Sequence, residues 1–402
     1  MNMGTWNVQG ISGKMEEVIL EVTRLRVDIV VLTETKKKGV GVETAGNYIH
    51  VHTGVERHQR AKRGVSVLIH KRYQGNITSY EAVDENIIKV NMNLKNRPCT
   101  LLGVYGISND ELYAVKDEFF EKLNDEITKI GNNREIIIMG DLNGKTGRKR
   151  DNKVVGPYGE TSRNDNGERL IELCESHGLK ITNGFYKHKE IHTYTWVQTT
   201  RNLRSIIDYV IVKQSTALQI NDVRVYTGVT CGSDHYLVKS RILFPFGPLK
   251  NTRGDNEEQA EKVVCVKYNL NSLTHESTIT LYQNRLDEKL TDELREQGVE
   301  EVYGNIVDSI KKAAEEALGL QKPKESNKLW WTEEVENIIK EKKKAYLLWL
   351  SSKKQEDRDE YMSIKRTTRR AVTTAKREMW DRKCQEINSC IPMKEHEQIS
   401  NQ

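Results

Sequence analysis

Two short runs constrain this chain more than anything else in it. Asp28–Thr33 (DIVVLT) and Glu135–Met139 (EIIIM) are apolar at nearly every position rather than at alternate ones. A strand with one wet face alternates, so an unbroken apolar run belongs to a strand covered on both faces. Each run leads at once into polar residues, Glu34 after the first and Asp141-Leu-Asn143 after the second. Buried strands with polar ends place functional side chains at one edge of a layered sheet.

Other segments extend the pattern. Met3–Val8, Val65–Ile69, Ile87–Leu94, Thr100–Tyr105, Tyr194–Trp196, Ile206–Val212, Val223–Val225 and Tyr236–Leu243 read as strands. Met15–Val27, Leu112–Ile130 and Gly167–His177 carry apolar residues at spacings of three and four and read as helices. Strands predominate and helices intervene singly, which points to two packed sheets with outer helices rather than a plain parallel βαβ sheet. The expected fold over residues 1–245 is therefore an α/β sandwich of two sheets with outer helices.

Near Phe244–Asn256 (FPFGPLKNTRGDN) prolines, glycines and polar residues break the pattern, so a linker is expected over 246–275. Beyond it the chain reads as helical to residue 402. Ser277–Leu318 is interrupted at Gly298, and Trp330–Leu350 and Tyr361–Cys384 form two amphipathic helices joined by Ser351–Asp357, the first starting at Thr332. Residues 322–383 hold 18 Lys and Arg against 11 Asp and Glu, so the remainder of the +5 chain is slightly acidic. Tyr361–Arg377 has Lys365, Arg366, Arg369, Arg370, Lys376 and Arg377 and no acid. A helix of this kind is either a solvated face or a contact for a nucleic-acid backbone, and unrelieved positive charge favours the second. A chain ending near Gly247 is expected to fold without it. Arg57–Arg63 (RHQRAKR), with Arg60 and Arg63, offers the same two readings.

The six cysteines are scattered, with no CxxC pair, and no apolar run reaches membrane-spanning length. Reduced thiols and an intracellular, nuclear protein that contacts no membrane are expected.

The polar strand ends suit phosphodiester hydrolysis, which needs a hard cation, an activated water and relief of charge on the leaving oxygen. Glu34 and Asp234 are candidate oxygen ligands for Mg²⁺, with Mn²⁺ able to substitute. His235 can contact the phosphate or the attacking water, with Asp208 orienting its other nitrogen. Asp141 can activate water or serve the leaving group, and Asn7, Asn143 and Tyr105 can contact phosphate oxygens. Trp196 either lines a nucleotide pocket or packs at the sheet end.

Taken together, TWNVQG, LTET, VYG, IMGDLNG, TW, IDYVIV and SDH resemble the ordered motifs of the endonuclease/exonuclease/phosphatase superfamily. The pattern is most similar to endonuclease domains of non-LTR retrotransposons of the RTE-like type and to craniofacial development protein 2-like proteins. The resemblance spans about residues 3–245. It implies the four-layered sandwich, Mg²⁺ dependence and apurinic-type DNA cleavage, with Glu34 and Asp234 as metal ligands. It also implies His235 and Asp208 as the catalytic pair and Asp141 as the proton-transferring carboxylate. Gln9 stands where many repair-type relatives have Asp, and Tyr105-Gly-Ile-Ser108 replaces a YxPN motif. The helices after residue 276 resemble the linker that follows such endonucleases. Within the same superfamily a phospholipid-headgroup or RNA phosphoesterase is the alternative, as is a catalytically silent DNA- or protein-binding derivative.

Overall fold

A computed structural model describes residues 1–131, 133–244, 273–290, 299–318 and 330–390. The expected linker therefore lies outside the described residues as far as residue 272.

The first sheet contains β1 (Asn2–Asn7), β2 (Ile29–Thr33), β3 (Gly41–Ala45), β4 (Tyr48–Thr53) and β5 (Val65–His70). The second contains β6 (Ile77–Ala82), β7 (Ile87–Leu94), β8 (Arg97–Tyr105), β9 (Glu135–Asp141), β10 (Leu179–Ile181) and β13 (Asp208–Lys213). β11 (Trp196–Gln198) and β12 (Leu203–Ser205) form a small hairpin, and β14 (Gln219–Tyr226) and β15 (Leu237–Leu243) return to the first sheet. The strand orders are β14-β15-β1-β2-β5-β4-β3 and β10-β13-β9-β8-β7-β6. β1–β2 and β8–β9 are parallel pairs and the other pairs of the two sheets are antiparallel, so both sheets are mixed.

The alternation inside the apolar runs shows why they are apolar throughout. Ile29 and Val31 of β2 join Ile137 and Met139 of β9 in the core between the sheets. Val30 and Leu32 face α1 (Met15–Arg24), through Val18 and Val22. Ile136 and Ile138 face α2 (Tyr113–Ile130) and α3 (Asp165–Ser176), through Phe119, Leu123, Leu170 and Cys174. The layers are helix, sheet, sheet, helix, as the sequence predicts.

The helices beyond the sandwich fall into two units. Lys262–Asn327 forms one compact unit, with α4 (Glu276–Lys289) and α5 (Val299–Leu318) held by ion pairs of Glu316 with Arg285 and Lys289. Residues 328–402 instead share a compact unit with Met1–Glu261. In that unit α6 (Glu333–Ser352) starts at Thr332, whose hydroxyl accepts from Val335 N–H as expected for an N-cap. α7 runs from Gln355 to Cys390, longer than its apolar periodicity suggests. Only Lys353 and Lys354 separate the two, Lys353 in a left-handed conformation. Among the described residues, no helix is long and apolar enough to cross a membrane.

The α6–α7 hairpin is fastened to the sandwich by buried polar groups. Lys342 reaches Glu17 of α1 at 2.6 Å with both side chains over nine-tenths buried, and Lys343 pairs with Glu21. Tyr346 donates to Thr227 O at 2.8 Å and packs with Tyr361, Trp349 and Tyr236. A chain ending near Gly247 would leave this surface open. Lys342→Ala is predicted to cost about 3–5 kcal/mol by stranding the Glu17 carboxylate. Urea denaturation checks it: a midpoint equal to wild type would make the hairpin a loosely attached arm.

Candidate active site

The register of the second sheet brings three polar side chains to one level. Asp141 at the end of β9 is paired with Asp208, the first residue of β13, and with Tyr105, the last of β8. From the first sheet come Asn7 at the end of β1, Glu34 just after β2, and Ser233-Asp234-His235 just before β15. All these ends open on the same side of the sandwich.

The central group spans both sheets. His235 Nδ1 lies 2.9 Å from Asp208 Oδ2, and its Nε2 is 3.9 Å from both Asp141 Oδ2 and Asp234 Oδ1. Asn7 Nδ2 donates to Asp141 Oδ2 at 2.9 Å, and Asn143 N–H donates to Asp141 Oδ1 at 3.0 Å. Asn7, Asp141, Asp208 and His235 are all buried. Burial and the Asp208 carboxylate raise Asp141 to about 7, against His235 and the N–H donors. Burial opposes charge on His235, but Asp208, Asp141 and Asp234 outweigh it and raise the imidazole to about 9.

Several neighbours hold this group in place; most of them belong to the motifs themselves, and Asn166 carries no motif signal. Trp6 Nε1 donates to His235 O at 3.1 Å, and Ser233 Oγ donates to Asn7 O at 2.7 Å while accepting from His235 N–H. Thr195 Oγ1 accepts from Asp208 N–H. Asn166, at the start of α3, donates to Ile107 O and Asn143 O and so ties the loop after β8 to the loop after β9. Gly106 lies so close to Leu142 that a Cβ would fall 2.5 Å from its carbonyl oxygen, which accounts for glycine after Tyr105. Glu34 and Asn143 both have left-handed backbones, φ 51° and 50°, which turn the chain sharply as each strand ends.

The expected contacts divide into those pointing inward and those spent on scaffolding. Trp196 is half-buried and donates from Nε1 to Asp234 Oδ2 at 3.0 Å, so it orients a carboxylate. Asn143 Nδ2 donates to Gly106 O at 2.9 Å. Glu34 is paired with Lys36 at 2.8 Å. The Tyr105 phenol is raised by burial, by Glu34 and by Asp141, so it stays a neutral donor. Arg63 contacts Glu85 and Asn86 at 3.2 and 3.3 Å, Asn86 in turn donates to Tyr105 O, and Arg60 is exposed. Lys365 is partly buried and donates to Gly232 O at 2.8 Å, beside the Ser233–His235 loop, whereas Arg366, Arg369 and Arg370 are exposed.

The carboxylate oxygens gathered here suit a hard dication. Asp141, Asp208 and His235 each bring one ligand-type atom within 4.8 Å of the others, the imidazole being held by Asp208. Asp208 Oδ1 and Asp234 Oδ1 are buried without a hydrogen-bond partner, oxygens that a cation would satisfy. Glu34 and Asp234 lie outside that tight cluster, at its rim.

Both shifts favour protons in the folded, metal-free protein. A group raised in the fold stabilises it below its unfolded value and loses that contribution as pH rises through the folded one. Stability without metal is therefore predicted to fall as pH climbs from about 4, through the Asp141 value of about 7, to the His235 value of about 9. Thermal unfolding between about pH 6 and about pH 10 tests this, with His235→Ala giving the flatter profile. Superimposable profiles would remove the imidazolium from the cluster.

The chain is 29% identical over 266 residues to craniofacial development protein 2 of Bos taurus, covering 64% of this chain and 44% of that protein. It thus spans less than half the length of that curated relative. The catalytic domain of Xenopus laevis APE2 superimposes with a TM-score of 0.47 at 17% identity, over 60% of this chain and 91% of the domain. The endonuclease domain of TRAS1, a telomere-specific non-LTR retrotransposon, gives 0.44 at 17% identity, over 61% of this chain and 99% of that domain. Residues 4–235 match the Endonuclease/Exonuclease/phosphatase family from its first strand to the histidine of SDH, and the chain belongs to that family.

Proposed function

We propose that this chain is a divalent-metal-dependent phosphodiesterase that nicks DNA, a retrotransposon-type endonuclease in its catalytic part. The observation that carries the reading is the buried His235–Asp208 pair, its free Nε2 directed towards Asp141 and Asp234.

Each residue then has a chemical task. Asp208 holds the imidazole in place and stabilises its charge, so Nε2 can donate to a phosphoryl oxygen. Asp141, raised towards neutrality, is poised to take or return a proton, and Asn7 and Asn143 N–H fix its two oxygens. Tyr105 offers a neutral hydroxyl to the same charge. Glu34 and Asp234 are the carboxylates that would hold Mg²⁺ or Mn²⁺. When bound, the cation supplies positive charge to the phosphoryl oxygens. The exposed Arg366, Arg369 and Arg370 of α7, together with Arg60, are suited to backbone phosphates outside the reacting centre. Lys365 has a different task, holding the loop that carries Asp234 and His235.

Supercoiled plasmid is predicted to relax with Mg²⁺ and stay closed with EDTA. His235→Ala is predicted to lower turnover about 10²-fold or more, and Asp208→Asn by less. Relaxation in chelator by protein free of other nucleases, or a fully active His235→Ala, would move the chemistry elsewhere. Inactivity of the wild type on plasmid, abasic duplex and RNA alike would favour the silent binding derivative.

Lys365 and its neighbours are predicted to separate by step. Arg366, Arg369 and Arg370→Gln together lower DNA affinity and flatten its salt dependence, each lost phosphate contact removing about 0.9 from the slope on duplex DNA. Lys365→Met instead lowers turnover with affinity nearly unchanged. Equal binding by the triple variant at every salt concentration would make that face a solvated one.

A further inference from the structure

The edge hairpin of the first sheet carries a polar cluster that hydrolysis does not use. Glu43 of β3 is in register with His50 of β4, and His52 is in register with Gly41. Residues two apart on a strand share a face, so the two histidines point the same way. The His50 side chain is fully buried, His52 retains 7% exposure and Glu43 is half-exposed. Their rings lie 5.3 Å apart, and His50 Nδ1 is 2.8 Å from Glu43 Oε1. A Cβ at position 41 would sit 3.0 Å from His52 Cε1, so glycine there leaves the ring its place.

Two observations turn this cluster from packing into a site. His50 Nε2 and His52 Nδ1 are buried with no hydrogen-bond partner, which a folded protein rarely tolerates without a use. One donor atom from each of Glu43, His50 and His52 lies within 4.8 Å of the other two. Burial lowers His50 and brings His52 to about 4, while the His50 hydrogen bond brings Glu43 to about 2. Neutral imidazoles beside an ionised carboxylate are the protonation state that a metal ion requires.

We propose that Glu43, His50 and His52 form a binding site for a borderline transition-metal dication, of the Zn²⁺ class, separate from the Asp141 cluster. Two imidazoles and one carboxylate, with water in the fourth position, are a zinc-type set, whereas Mg²⁺ and Ca²⁺ take oxygen alone. Tetrahedral bonds of about 2.1 Å put donors about 3.4 Å apart, so closing the site takes side-chain shifts on the order of 1 Å. Lys37, whose ammonium lies 2.7 Å from Glu43 Oε1, occupies the cation's side of the carboxylate and must turn away. The bound ion would clip edge strand β3 to β4.

The test uses the full chain with thiols reduced and Mg²⁺ saturating, titrated with Zn²⁺ by calorimetry and with Co²⁺ by visible absorption. One equivalent is expected at this site, its cobalt bands lacking the near-ultraviolet charge transfer of thiolate ligands. Glu43→Gln should weaken it about 10-fold or more. Lys37→Met should tighten it, and Asp141→Asn should leave it unchanged. Glu43 and Lys37 side chains are both partly exposed, so these variants should fold, which circular dichroism verifies. An equivalent that survives Glu43→Gln and disappears with Asp141→Asn would overturn the proposal. So would failure of wild type and Lys37→Met alike to take up Zn²⁺.

Discussion

Two hydrogen bonds that cross from sheet to sheet govern the rest of the molecule. Asp208 belongs to the second sheet and His235 to the approach to the first; Asn7 belongs to the first and Asp141 to the second. All four are buried, so their charge and polarity have been taken out of water. That cost is offset only at short range and in good geometry. The two sheets must therefore meet at a set separation and with matching strand ends. The apolar core from Ile29, Val31, Ile137 and Met139 sets that separation, and the β9 register with β8 and β13 sets the level.

Around this bridge, many polar side chains act on one another before they act on a substrate. Trp196 holds Asp234, Asn143 holds Gly106, and Asn166 joins the loops after β8 and β9. A site organised in this way has its dipoles aimed in advance, which is where electrostatic catalysis obtains most of its effect. The α6–α7 hairpin extends the same logic outward. Lys342 and Lys343 secure it to α1, and Lys365 secures it to the loop that ends in His235. The helices that a charge count presents as an independent basic arm thus belong to the body that holds the site.

How far the chain could be read without coordinates depends on the strength of the local signal. β2 and β9 are legible because both their faces are buried, and the helices α1, α2 and α3 because one face is. The strands β3, β4 and β6 escaped, since each is short and Glu43, His50, His52 and Glu81 leave few apolar residues to mark it. The same histidines that hide β4 as a strand make it a candidate metal site. α7 begins earlier than its apolar stripe because Gln355–Glu360 is polar helix that only a short turn from α6 reveals.

The sequence by itself determined the layered sandwich and the polar strand ends that belong to its mouth. Order along the chain and unbroken apolar runs are local properties, and they suffice for that. The tertiary structure decided which of those ends touch, because contact depends on register between strands distant in sequence and on the spacing of two sheets. It made Asp141, Asp208 and His235 the tight cluster, left Glu34 and Asp234 outside it, and tied Lys365 to Gly232 beside the histidine loop. It also drew α6 onto α1. Its buried partners there, Glu17 and Glu21, lie more than 300 residues away along the chain, where no local pattern can register them.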